Sequence, residues 1–194
     1  MGQALARSVM TAEEFLAWDE HEAVRHEFVC GEVFAMAGAE DRHATVSLNV
    51  AMALRNHLRG SPCRTYLAEV KLRVEAADCY VYPDVMVTCS AADAAQPLIK
   101  REAVLVVEVL SPSTAAYDRG TKFAAYRQLA SLAEYLLIDL DSQRCDLYRK
   151  GGDGLWVLHP SEADQPVVLA SVGLTLSAQA LWAEVEPAGR AQGG

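Results

Sequence analysis

The sequence lacks most of the features that would place a chain in a specialised class. None of its 194 residues belongs to an apolar run approaching the ~18 positions a membrane-spanning helix needs, which excludes an integral helical membrane protein. The opening stretch MGQALARSVM holds no apolar block of secretory-signal length, and Arg7 interrupts what there is. Gly2 is present, but Ala6 stands where a myristoylation signal carries Ser or Thr, so lipidation is not expected. The five cysteines (Cys30, Cys63, Cys79, Cys89 and Cys145) are odd in number and form no C-x-x-C pair, so neither a zinc ribbon nor a disulfide framework is expected. They read as small buried hydrophobes in a reducing compartment, and the cytoplasm is the expected location. A glycine-rich phosphate loop is missing as well, since Gly151-Gly152 falls between strands rather than before a helix. There is no repeat, low-complexity tract or linker, and a single domain over 1–194 follows.

What remains is a folded chain, 52% apolar and 22% charged, with a net charge of −9. That charge is unevenly spread. Residues 1–41 carry two basic and nine acidic side chains, residues 42–128 eleven and eight, and residues 129–194 four and nine. The middle is locally basic between acidic ends, which removes the simplest objection to a polyanionic partner without establishing one.

Thr11-Ala12-Glu13-Glu14 is a capping box that opens a short helix carrying Phe15, Leu16 and Trp18. Residues 25–36 predict a hairpin around Gly31. A helix is expected from Arg42 to Leu58, with Val46, Val50, Ala53, Leu54 and His57 on one face, stopped by Gly60 and Pro62. The period then changes to two. Residues 64–74 predict one strand with Tyr66, Ala68, Val70, Leu72 and Val74 on one face and Glu69, Lys71 and Arg73 on the other. Further strands are expected over Val81–Thr88 and Ala103–Leu110, a helix over about 115–130, and strands over 134–140, 144–149 and 154–159. The tail from Ala188 to Gly194 should fray. This order predicts an α/β fold, a mixed central sheet flanked by helices.

Glu108 is the most informative residue. It interrupts the apolar strand Val104–Leu110 on the face of Val104, Val106 and Leu110, where an uncompensated carboxylate costs several kcal/mol. A metal ligand or catalytic acid fits; so does a structural ion pair, or a strand end open to water. Asp84 follows Pro83 at the head of another apolar run, and alone it could be a turn aspartate. Together, two carboxylates on successive strands can converge on one hard cation such as Mg²⁺, which keeps sites for water and phosphate. Asp118, Lys122 and Tyr126 stack at helical spacing, either as an exposed ion pair or with Lys122 beside a scissile phosphate. Glu27 and His43 are candidates for a third acid and a residue at an anion-favouring helix start, or else plain surface and capping groups.

On these residues the chain resembles the Uma-type (Uma two) restriction endonuclease family of the PD-(D/E)XK superfamily. The matching stretches are Met10–Leu16, Arg25-His26-Glu27-Phe28 with Gly31-Glu32-Val33, Arg42-His43, Tyr82-Pro83-Asp84-Val85, and Val106–Thr114 with Asp118, Lys122 and Tyr126. The resemblance covers about residues 10–182. It implies a restriction-endonuclease-like core and metal-dependent cleavage of DNA phosphodiester bonds. Asp84, Glu108 and the Val109 carbonyl would hold Mg²⁺, with Mn²⁺ as a substitute. The superfamily's usual lysine slot, two residues after the acid, is Leu110 here, so the lysine must come from elsewhere. Lys122 is the choice and Lys71 the rival, with Glu27 and His43 assisting. Many nucleases use two active sites to cut two strands, so a homodimer is the expected assembly. The alternatives are a catalytically inactive module working through protein contacts, with Glu108 paired to a buried base, and a metal phosphoesterase acting on a small substrate.

Overall fold

A computed structural model describes residues 10–36 and 38–185. The expectations for Gly2, Ala6 and Arg7 and for the tail from Ala188 lie outside the described residues. Helix α1 (Ala12–Asp19) starts as expected: the Glu14 amide donates to Thr11 Oγ1 and the Thr11 amide to Glu14 Oε2, at 3.2 and 2.8 Å. Strands β1 (His26–Val29) and β2 (Glu32–Ala35) form the hairpin. Its two-residue turn, Cys30-Gly31, has φ of 50° and 89°, the positive φ at both positions that a type I′ hairpin turn has. Glycine meets that demand at no steric cost; Cys30 does not. α1 covers one face here by stacking Phe15 on Phe28 and Tyr80, with ring centroids 5.2 and 5.9 Å apart.

Helix α2 (Asp41–His57) follows and buries Val46, Val50 and Leu54 along one stripe, while Leu48 and Met52 face outward. The remaining elements are β3 (Arg64–Leu67), β4 (Lys71–Val74), β5 (Cys79–Val81), β6 (Val85–Thr88), α3 (Ala91–Ala94), β7 (Ile99–Lys100) and β8 (Ala103–Leu110). Then come α4 (Ala115–Tyr117), a π-helical turn (Asp118–Lys122), α5 (Phe123–Tyr126), β9 (Glu134–Asp139), β10 (Arg144–Lys150), β11 (Trp156–Ser161), β12 (Val167–Leu169), β13 (Leu174–Leu176) and α6 (Ala178–Leu181).

The central six-stranded sheet runs β11-β10-β9-β8-β6-β3 and is mixed, because β8 and β9 are parallel and connected through α4, the π turn and α5. α2, α6 and the β12-β13 hairpin cover one face. The segment after β8 and a second sheet, β2-β1-β5-β4-β7, cover the other. The expected α/β class and sandwiched central sheet are present.

Two strand expectations need correction. The single strand over 64–74 is really β3 and β4, and the one over 81–88 is β5 and β6 preceded by Tyr82-Pro83-Asp84; in each case the halves belong to different sheets. The first break is a tight turn in which the Glu69 and Val70 amides both reach the Leu67 carbonyl. The second falls at Pro83, which has no N–H to offer a ladder. The supposed polar face is also not solvent-facing throughout. Arg73 is buried, paired with Asp78 at 2.8 Å and Glu75 at 3.1 Å, with its guanidinium over the Tyr80 ring.

The cysteines require a correction as well. Cys63 and Cys89 are joined by a disulfide, just before β3 and just after β6, strands whose pairing of Arg64 with Thr88 makes these residues neighbours. Cys30 is exposed, so the buried-hydrophobe reading holds for Cys79 and Cys145 alone. The compartment inferred from cysteine usage loses its support. Among the described residues, no helix is long and apolar enough to cross a membrane.

Leu54 is 0% exposed and Leu48, on the same helix, is 50% exposed. Leu54→Ala should cost about 2–5 kcal/mol in urea unfolding, and Leu48→Ala no more than about 0.5 kcal/mol.

Candidate active site

The two sheets part where the chain crosses between them, at Leu67–Glu69 and at Tyr82–Asp84, and a cleft of about 850 Å³ opens there. Each expected site residue lines it or touches a residue that does. Glu27 comes from β1, His43 from the first turn of α2, Asp84 from the β5–β6 corner, Glu108 and Val109 from the end of β8, and Lys122 from the π-helical turn.

Glu108 is 3% exposed and points, as its alternation predicts, to the face covered by α5. Lys122 Nζ lies 3.1 Å from Glu108 Oε1, and the Tyr126 hydroxyl donates to the same oxygen at 2.7 Å. Both donors grip Oε1. Among the described residues Oε2 accepts a single long contact, 3.4 Å, from the Asp84 amide. Asp84 is arranged in the same way: the Val109 amide donates to its Oδ2 at 2.7 Å, and His43 Nε2 is 3.2 Å from that atom. One oxygen of each acid is therefore held by protein donors, and the second keeps its coordinating capacity.

Lys122 is a hub. Its ammonium is 3.1 Å from Glu27 Oε1 and 3.6 Å from Asp118 Oδ1, in addition to Glu108. Glu27 is itself anchored by the Tyr82 amide, 3.0 Å from Oε1. Lys71, the rival, pairs with Asp19 at 2.8 Å and takes no part in the cluster. Asp118, expected only as part of a stack with Lys122 and Tyr126, lines the cleft, and the fully buried Tyr126 stands behind Glu108. A π-helical turn is rare and recurs at functional sites; here it carries both Asp118 and Lys122 inward.

The electrostatics follow from one ammonium paired with three carboxylates (Glu27, Glu108 and Asp118) and within the field of a fourth, Asp84. Burial works against the Lys122 charge, but Glu108, Glu27 and Asp118 outweigh it and hold the lysine protonated well above its usual range. Burial, with repulsion from Asp84, Asp118 and Glu27, lifts Glu108 well above the carboxylate range despite Lys122. Asp118 rises for the same reason, burial first. His43 is desolvated too, yet its hydrogen bond and charge pairing with Asp84 raise it above the ordinary imidazole value.

Surplus negative charge on oxygen donors is a setting that suits a hard divalent cation. Among the described residues no three His, Cys, Asp or Glu side chains form a ready-made cage. Two acids with room for water suit Mg²⁺, which binds through one or two carboxylates and keeps several of its waters. The Tyr117 hydroxyl, buried at the same wall, has no hydrogen-bond partner among the described residues and can serve such a water.

Fold and site together describe a restriction-endonuclease-like α/β domain. The crystal structure of a "putative nuclease belonging to DUF820" from Anabaena variabilis has the same fold, with a TM-score of 0.75 at 18% identity over 89% of this chain and 97% of that one. The model of the Uma2 family, described as "Putative restriction endonuclease", matches residues 12–180, and the chain belongs to that family. Two relatives from Synechocystis sp. carry no functional description. Protein slr1290 is 36% identical over 89% of this chain and 91% of its own length. Protein sll1609 is 33% identical over 77% and 86%.

Two outcomes test this geometry. Asp84→Asn should lower the His43 pKa, read by NMR titration, because burial would then act with less opposition. The wild-type pair stabilises fully below the ordinary imidazole pKa, and that stabilisation fades as pH rises through the elevated value. Tyr126→Phe, which strips one donor from Glu108, should cost about 1–3 kcal/mol in urea unfolding.

Proposed function

We propose that the chain is a metal-dependent endonuclease that hydrolyses DNA phosphodiester bonds. The observation that carries this reading is the pairing of Asp84 and Glu108 across one corner, each with one oxygen restrained and one available, beside the Lys122 ammonium. Asp84, Glu108 and the Val109 carbonyl would hold Mg²⁺ or Mn²⁺. When bound, the ion supplies polarisation of a phosphoryl oxygen and a lower pKa for an attacking water.

The protein's own groups do the rest. Lys122 keeps its proton and sets a fixed positive charge against the charge that builds on the phosphate. Glu27 and Asp118 hold that ammonium in place from the other side. His43, held by Asp84 in the first turn of α2, stays protonated to a higher pH than a free histidine and adds positive charge at the cleft. Arg25 and Arg42 also line the cleft, paired with the exposed Glu69 and Asp141 and bonded to the Ala68 and Leu140 carbonyls, and bring positive charge toward DNA phosphates. Two copies related by a two-fold axis would set one such site against each strand of a duplex.

A second reading also has support: Lys122 and Tyr126 compensate the buried Glu108 carboxylate through its Oε1, as the internal ion pair of a non-catalytic module would.

Plasmid cleavage with Mg²⁺ or Mn²⁺ should be abolished by Glu108→Gln and by Asp84→Asn. Equal rates in wild type and variants would assign the activity to a contaminant. Calorimetry should detect Mn²⁺ binding that Asp84→Asn removes; no binding by the wild type favours the module. Because Glu108 holds its proton above the ordinary carboxylate range, Mn²⁺ affinity should increase as pH rises through that elevated pKa, with proton release on binding.

A further inference from the structure

Four of the five cysteines sit in two pairs across neighbouring strands, and only one of these pairs is bonded. Cys63 and Cys89 flank the β3–β6 ladder. Cys30 and Cys79 occupy the equivalent situation beside β1–β5, where Val29 is in register with Cys79 and the Cys30 amide donates to the Asp78 carbonyl. Both thiols donate to one acceptor, the Ala77 carbonyl, at 3.3 Å from Cys30 and 3.0 Å from Cys79. Two sulfurs that share a single carbonyl are close neighbours. Their exposure differs: Cys30 is open to solvent at the hairpin turn, and Cys79 is buried behind it.

We infer that Cys30 and Cys79 form a thiol–disulfide exchange site, oxidised to an intramolecular disulfide by a small soluble disulfide such as oxidised glutathione. The exposed Cys30 loses its proton to solvent, and its thiolate attacks one sulfur of the small disulfide. The protein becomes a mixed disulfide at Cys30, and one small thiolate leaves and takes up a proton. Cys79 then loses its proton, attacks the Cys30 sulfur and expels the second small thiol. Two protein thiols are oxidised, and one small disulfide is reduced to two thiols. Burial and the neighbouring Cys30 sulfur push the Cys79 thiol up to about 12, opposed by the Cys30 amide, so the second step is slow and quickens as pH rises. The cross-link would tie together β1 and β5, the strands that bring Glu27 against the Tyr82 amide. The inference does not depend on the nuclease reading.

The test incubates the native chain with oxidised glutathione at about pH 8, a pH at which an exposed thiol is partly ionised. It then denatures, alkylates free thiols and maps peptides by mass spectrometry. The expected product is lighter by two hydrogens, carries no glutathione, contains a Cys30–Cys79 linked peptide and is alkylated only at Cys145. Cys79→Ala should stop at glutathione on Cys30, and Cys30→Ser should remain unmodified. Wild type that keeps glutathione on Cys30 with Cys79 alkylated, that dimerises through Cys30, or that does not react would overturn the inference.

Discussion

The cleft is organised around the compensation of one buried carboxylate. Glu108 is on the covered face of β8, where an isolated charge would cost several kcal/mol. Two donors, Lys122 and Tyr126, meet it on a single oxygen. Both come from the segment that follows β8 and folds back over the same sheet, so the crossover that makes β8 and β9 parallel also delivers the compensation. The ammonium then attracts Glu27 and Asp118, and one buried charge has become a cluster of acids around one base. Apolar packing alone would have been the cheaper way to fill this wall. A charged cluster lines the inner wall of the cleft instead, and titratable groups perturbed in this way gather at functional sites.

The second organising feature is the corner between the sheets. β3 continues into β4 and β5 into β6, yet each pair divides between two sheets. At the second crossing Pro83 ends the ladder and leaves Asp84 directed at the amide of Val109 rather than at a partner strand. A continuous strand through 81–88 would keep that backbone in a ladder and close the cleft. Asp84 and Glu108 can be adjacent because the sheet opens at this point.

Several parts of this were legible in the sequence for identifiable reasons. Thr11 with Glu14, the Val46-Val50-Leu54 stripe and the apolar run around Glu108 are local signals, each set by hydrogen-bonding or periodicity within a few residues. The β3–β4 break was not legible, since residues 64–74 alternate straight through it with no glycine or proline at the turn. The Cys63–Cys89 bond depends on which strands pair, and cysteine spacing carries no trace of that. The site was readable as a list of residues more than as an arrangement. A carboxylate in an apolar strand and another after a proline marked Glu108 and Asp84. Choosing Lys122 over Lys71 could rest only on the resemblance, and it took the fold to show that Lys71 faces Asp19. Asp118 and Tyr126 were visible as a helical stripe, but whether that stripe faced solvent or the acids could not be read from spacing.

Anomalous diffraction from crystals soaked in Mn²⁺ addresses the central claim most directly. The account predicts a manganese peak in the cleft between the Asp84 and Glu108 carboxylates, within bonding distance of both, and its loss in Asp84→Asn. Manganese elsewhere on the protein with none at this corner, under conditions that saturate the soak, would contradict it and leave the cluster as an internal ion pair.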